Sequence, residues 1–129
     1  MKDAVLDASV VGPWFWHPVE RTTTALRSDY ESGRLVVHAP TLLFLELVNV
    51  AGRQFSWEEE PLRALADRLL RSRFEVVDPA LDSVATWVAR GLTAYDASYV
   101  AVAEQLGVPL MTTDRLMLDR AAGVAVLPG

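Results

Sequence analysis

Short apolar runs alternate with helix-length segments along most of the chain, and no other feature limits the possible fold as much. Residues 3–7, Leu35-Val36-Val37, Phe74-Glu75-Val76-Val77, Leu110-Met111-Thr112 and 124–127 read as strands. Periodicity and end signals mark the helices between them. One runs from near Val19 to Ser32 with Gly33 as its cap, and one from Pro40 and Thr41 to about Gln54. Another spans Trp57 to Arg71, with acids and Pro61 in its first turn and arginines at its end. Further helices cover Pro79 to Arg90, Tyr95 to Leu106, and Arg115 to Ala122. Strands separated in this way imply βαβ units and an α/β fold, with a parallel sheet covered on both faces.

At 129 residues and 51% hydrophobic content, one domain spanning 1–129 with a single core is expected. No apolar window approaches the roughly 18 residues of a membrane span. Met1-Lys2-Asp3-Ala4 lacks the pattern of a signal peptide, so a cytoplasmic location is expected. The absence of cysteine excludes disulfides and thiolate metal sites, leaving oxygen ligands and two histidines. A net charge of -5 argues against wrapping nucleic acid by electrostatics alone. The basic residues are eleven Arg and one Lys, a balance that favours bidentate phosphate contacts but also follows from coding bias.

Four acids stand where an ordinary fold has no need of charge. Asp7 closes the apolar run Ala4-Val5-Leu6, and Asp114 closes the run 109–113. In open α/β sheets the binding crevice lies outside the carboxyl ends of the strands, so both acids are candidates for it. Each is equally a good helix N-cap. Asp96 fits a capping-box variant with Thr93, yet it shares a helical face with Tyr99, Val100 and Ala103. Glu46 interrupts Leu42-Leu43-Phe44-Leu45 and Leu47-Val48, although Glu46, Asn49 and Arg53 also form a narrow polar stripe. A carboxylate in so apolar a helix needs a partner, and a metal ion supplies one. Together the four offer the oxygen donors that a hard divalent cation such as Mg²⁺ takes, a site type suited to phosphate chemistry.

These residues carry a resemblance. Val5-Leu6-Asp7-Ala8-Ser9, Glu46-Leu47-Val48-Asn49, the run 95–103 beginning Tyr95-Asp96-Ala97, and Thr112-Thr113-Asp114 resemble the PIN-domain ribonucleases. Among these, size and motifs resemble the VapC-type toxins of toxin–antitoxin pairs. The resemblance covers essentially the whole chain. It implies a PIN-like three-layer fold with a central, mostly parallel sheet flanked by helices. It also implies a Mg²⁺- or Mn²⁺-dependent endoribonuclease with Asp7, Glu46, Asp96 and Asp114 as metal-binding acids, supported by hydrogen bonds from Ser9 and from Thr112 or Thr113. A homodimer, inhibition by a small antitoxin, and structured RNA such as transfer RNA as substrate follow from the same resemblance.

The aromatic stretch 12–18 departs from that pattern. It reads as a loop packed on the first helix, or as a platform (Trp14, Trp16) for an unpaired base or a partner protein. Arg53 and Arg115 are further candidates for RNA or partner contacts. Arg115 also stands four residues from Asp119, the spacing of a helix-surface pair. The cluster Arg63, Arg68, Arg71 and Arg73 reads as a solvated face before a phosphate-binding one, and His17 and His38 read as structural or exposed.

Competing functions fail on identifiable residues. A haloacid-dehalogenase-like phosphatase wants a second acid two positions after the strand-end Asp, where this chain has Ser9. A receiver domain needs a lysine near the site, and Lys2 precedes the first acid. A non-catalytic binding module with the PIN-like fold is the remaining alternative, opposed by the presence of all four acids.

Overall fold

The computed structural model describes residues 2–18, 22 and 24–129. Its five strands are β1 (Lys2–Leu6), β2 (Leu35–Ala39), β3 (Glu75–Val76), β4 (Leu110–Met111) and β5 (Ala125–Val126). They form one sheet in the order β3-β2-β1-β4-β5, and every pairing is parallel. β1 is central. Its register sets Ala4 against Val37 on one side and Val5 against Leu110 on the other. Ala4, Val5 and Leu6 are all buried, as expected of a strand with neighbours on both edges and helices on both faces.

The helices are α1 (Ala8–Val11), α2 (Pro13–Trp16), α3 (Ala25–Glu31), α4 (Leu42–Arg53), α5 (Glu59–Leu70), α6 (Leu81–Ala89), α7 (Ala94–Leu106) and α8 (Arg115–Arg120). The chain steps outward from β1 to β3, then returns across the sheet to β4. Right-handed crossovers, the nearly universal hand, therefore place α1–α5 on one face and α6–α8 on the other. The packing agrees: α4 lies on α5 and α1, while α7 lies on α6, β1 and β4.

α7 is the keystone of the core. Ala97, Tyr99, Val100, Ala101, Val102 and Ala103 are buried, so the helix is enclosed around most of its girth rather than along one stripe. Thr93 caps its start by accepting the Asp96 N–H, and Gly107, in the left-handed conformation, closes its end.

Two expectations are corrected here. The stretch after Asp7 is not a loop but two single helical turns, with Asp7 capping the first and Pro13 beginning the second. Gly12 joins them where a Cβ would meet the Ala8 carbonyl at 2.6 Å and collide with the Trp16 ring. The helix expected to run to Ser32 is interrupted at Thr24, whose extended backbone caps a helix over Ala25–Glu31; its expected start near Val19 falls among residues 19–21 and 23, which lie outside the described ones. No described helix is long and apolar enough to cross a membrane.

Candidate active site

Because the chain reverses direction between β3 and β4, a switch point falls between β1 and β4, and a crevice opens beyond their carboxyl ends. Asp7 leaves β1 at that crevice, and Thr112, Thr113 and Asp114 leave β4 beside it.

Asp7 is buried, with three donors on its carboxylate. Ser9 donates its backbone N–H (3.1 Å) and its hydroxyl (2.5 Å) to Oδ1. Thr112 donates its hydroxyl to Oδ2 at 2.6 Å. Burial raises the Asp7 pKa above the usual carboxylate value, and these hydrogen bonds restrain the rise by favouring the charged form. Thr112, fully buried, also accepts the Asp114 N–H at 3.0 Å. Asp114 in turn caps α8, its Oδ1 accepting the Met117 N–H at 3.0 Å. The two Thr candidates thus part company: Thr112 touches Asp7, whereas exposed Thr113 contributes its backbone N–H to Ser9 Oγ at 3.1 Å.

The helices bring the other two acids. Asp96 stands in the first turn of α7, and its pKa is raised by burial and then by the negative charges of Asp114 and Asp7. Glu46, half-buried on α4, is raised by burial and by the charges of Asp7 and Asp96. Repulsion that links all four carboxylates means they share one electrostatic neighbourhood. Capping and convergence therefore coexist: three of the acids sit at helix N-termini and still feel one another's charge.

Tyr99 completes the arrangement, a role that is not among those expected from the sequence. Its buried hydroxyl donates to Glu46 Oε1 at 3.0 Å, tying α7 to α4. Burial and the neighbouring carboxylates push its pKa far up, so it remains a neutral donor. The signal was available, because Tyr99 follows Asp96 by three residues and lies on its face of the helix.

The donor set suits a hard divalent cation, being carboxylate oxygens without thiolate or imidazole. Among the described residues no three His, Asp or Glu side chains draw close enough to enclose an ion as they stand. Mg²⁺ retains several waters and takes one or two carboxylates directly, so a spread, mutually repelling set fits it better than it would fit a closed cage.

The aromatic and basic candidates are partly committed elsewhere. Trp14 is buried, its ring 5.5 Å from that of Tyr30, and Trp16 packs edge-on against Phe55 at 5.3 Å. The Trp14 face is therefore not open to stack a base. Arg68 donates to the Phe15 carbonyl at 2.9 Å and covers its ring, and Arg73 binds the carbonyls of Tyr30 and Glu31. These arginines pin α2 and α3 to the rest of the fold rather than forming a free face. Arg53 and Arg115 are exposed. Asp119 pairs with Arg120 at 3.6 Å instead of Arg115, in keeping with the weaker preference for Arg-before-Asp spacing along a helix. His17 is exposed, and His38 bonds Asp3 at 2.8 Å on β1.

Comparisons with known proteins bear on this geometry. The PIN domain family profile matches residues 4–124. Over 108 residues the chain is 39% identical to Exonuclease VapC9 of Pyrobaculum aerophilum, covering 77% of this chain and 80% of that protein. The crystal structure of PAE2754, also from Pyrobaculum aerophilum, superposes with a TM-score of 0.69 at 27% identity, over 97% of this chain and 88% of that one. FitAcB from Neisseria gonorrhoeae superposes with a TM-score of 0.66 over 97% and 96% of the two chains. Its 21% identity speaks for the fold alone.

Proposed function

Because the chain belongs to the PIN domain family, we propose that it is a Mg²⁺- or Mn²⁺-dependent endoribonuclease, a single domain over 1–129, and the toxin of a toxin–antitoxin pair. The observation that carries the reading is the placement of Asp7 and Asp114 beyond adjoining strands, joined through the Thr112 hydroxyl, with Asp96 in the first turn of the helix that Tyr99 ties to Glu46. Four carboxylates held together against their own charge are costly unless a cation or a cationic partner group relieves them.

Asp7, Glu46, Asp96 and Asp114 would hold the ion. The chemistry such an ion supplies when bound is a lowered pKa for the attacking water and neutralised charge on the phosphate and leaving oxygen. Ser9 and Thr112 fix the plane of the Asp7 carboxylate, as outer partners of metal ligands do. Tyr99 holds one oxygen of Glu46 and leaves the other free of that bond. The Met117 N–H does the same for Asp114. RNA as substrate, with structured RNA such as transfer RNA as the target class, a small antitoxin, a homodimer and a cytoplasmic setting belong to the same proposal.

A second reading is favoured by one observation: the curated relative is named an exonuclease. Incubating purified protein with total RNA and with a circular RNA, in Mg²⁺, Mn²⁺ or EDTA, separates the two. Metal-dependent opening of the circle, absent from a folded Asp96→Asn or Asp7→Asn variant, is expected. Digestion of linear RNA alone selects the exonuclease. Full activity in folded Asp96→Asn would remove the site assignment.

A further inference from the structure

A cavity of about 350 Å³ opens beside the acids, and we propose that it receives one unpaired base of the RNA, next to the phosphate held at the carboxylates. The inference rests on the nuclease reading for its substrate class, but the cavity is defined independently. Ser9 and Thr113 form the wall shared with the acids; Pro13, Trp14 and Ala25 form other parts of the lining, with exposed His17 among them.

Three features select a base as occupant. First, position: Ser9 Oγ lies 2.5 Å from Asp7 Oδ1 and accepts the Thr113 N–H, so the cavity wall and the carboxylate are one hydrogen bond apart. A nucleotide with its phosphate at the acids has its base within reach across a single sugar. Second, size: the volume lies near the lower end of the roughly 300–1,000 Å³ of small-molecule sites, suited to one ring system rather than a helix or loop of a partner protein. Third, lining: more of its surface is apolar than polar, with Pro13 and Trp14 beside Ser9, Thr113 and His17. A base needs that mixture, a flat apolar contact for its faces and hydrogen-bonding groups for its edges. The aromatic stretch thus serves the RNA by shaping a slot, with mostly buried Trp14 as part of its wall.

The test fills the slot from a position outside the acid network. Ala25 is exposed at the start of α3, where a larger side chain is accommodated without disturbing the core. Ala25→Phe is compared with wild type in two assays, after thermal melting confirms that it is folded. The first is binding of the four nucleosides, which carry no charge for the carboxylates to repel, and of their 5′-monophosphates, in EDTA, followed by amide NMR, with Asp96→Asn run in parallel. Shifts at Ser9, His17 and Thr113 in wild type and Asp96→Asn, and their loss in Ala25→Phe, are expected. The second is RNA cleavage, where Ala25→Phe should raise KM at least about tenfold, equivalent to about 1.4 kcal/mol of lost base contact. An abasic nucleotide beside the scissile bond should bring both proteins to the same level. Equal nucleotide binding and equal KM in Ala25→Phe overturn the proposal, even if cleavage itself is robust. Slot binding without any cleavage supports it and removes the nuclease reading instead. Loss of a protein partner from Ala25→Phe, with nucleotide binding unchanged, assigns the cavity to that partner and overturns the proposal.

Discussion

Replacing Thr112 by Val keeps the shape of the side chain and deletes a single oxygen, which makes it the sharpest probe of how Asp7 is held. That oxygen donates to Asp7 Oδ2 at 2.6 Å and accepts the Asp114 N–H at 3.0 Å. A hydrogen bond to a charged group contributes about 1.5–3 kcal/mol, and a partly buried N–H left without its acceptor costs about 1 kcal/mol more. The expected loss is therefore about 3 kcal/mol at pH 8 in EDTA, or roughly 10 °C in Tm for a chain of this size. The pH dependence makes the test specific. The folded pKa of Asp7 is raised, so its ionisation destabilises the fold: the associated stability is present below the unfolded value of 3.8 and is lost as pH rises through the folded pKa. Thr112 restrains that rise, so Thr112→Val lifts the folded pKa further and suffers most at high pH. Once Asp7 is protonated in both proteins, a neutral hydrogen bond of about 1 kcal/mol and the unpaired Asp114 N–H of about 1 kcal/mol remain, about 2 kcal/mol together. Urea titrations at pH 8 and at a pH below 3.8 give the two differences. A loss under about 1 kcal/mol at pH 8, or equal losses at both pH values, would refute the reasoning. Thr113→Val is the control, with an expected change within about 0.5 kcal/mol, because its side chain is exposed.

Tyr99→Phe removes the donor on Glu46 Oε1 and should lower cleavage about tenfold while costing about 1 kcal/mol of stability. Steady-state kinetics beside urea unfolding would show it, and an unchanged kcat would mean that Glu46 needs no such support. Gly12→Ala places a Cβ 2.6 Å from the Ala8 carbonyl, and the forced shift at the α1–α2 junction should cost about 2 kcal/mol by denaturant titration. Unaltered stability would show that the junction yields freely. Mg²⁺ at millimolar concentration should raise the Tm of wild type but not of Asp96→Asn. The same variant should be more stable than wild type in EDTA, because burial and the charges of Asp114 and Asp7 oppose ionisation of Asp96.

The fold class was legible because its signal is local. Apolar runs such as Ala4-Val5-Leu6 and Leu35-Val36-Val37, separated by helical segments, leave few options but a parallel sheet. The turns α1 and α2 were not legible, since four residues are too few to show a helical period. Thr112 and Thr113 stayed unresolved although a period of two would have separated them: buried Leu110 and Thr112 share a face, while Thr113 falls on the other. The link from Tyr99 to Glu46 spans 53 positions and required the tertiary structure, although the shared face with Asp96 hinted at it.

Strand order explains why acids far apart in sequence meet. Two of them, Asp7 and Asp114, follow adjoining strands, so the parallel pairing of β1 with β4 delivers both to one crevice. The other two ride on helices from opposite faces of the sheet, α4 and α7, joined by the Tyr99 hydroxyl. Neither pair suffices to bring four charges together: the strands fix two carboxylates rigidly, and the helix contact sets how closely the others approach. The site therefore senses the packing of α7 against β1 and β4. A substitution that loosens that seam without touching an acid, such as Val100→Ala in the fully buried core, should weaken Mg²⁺ affinity as well as stability. Stability falling by about 1–2 kcal/mol with Mg²⁺ affinity unchanged would show that the four acids are positioned by the strand ends and helix caps alone.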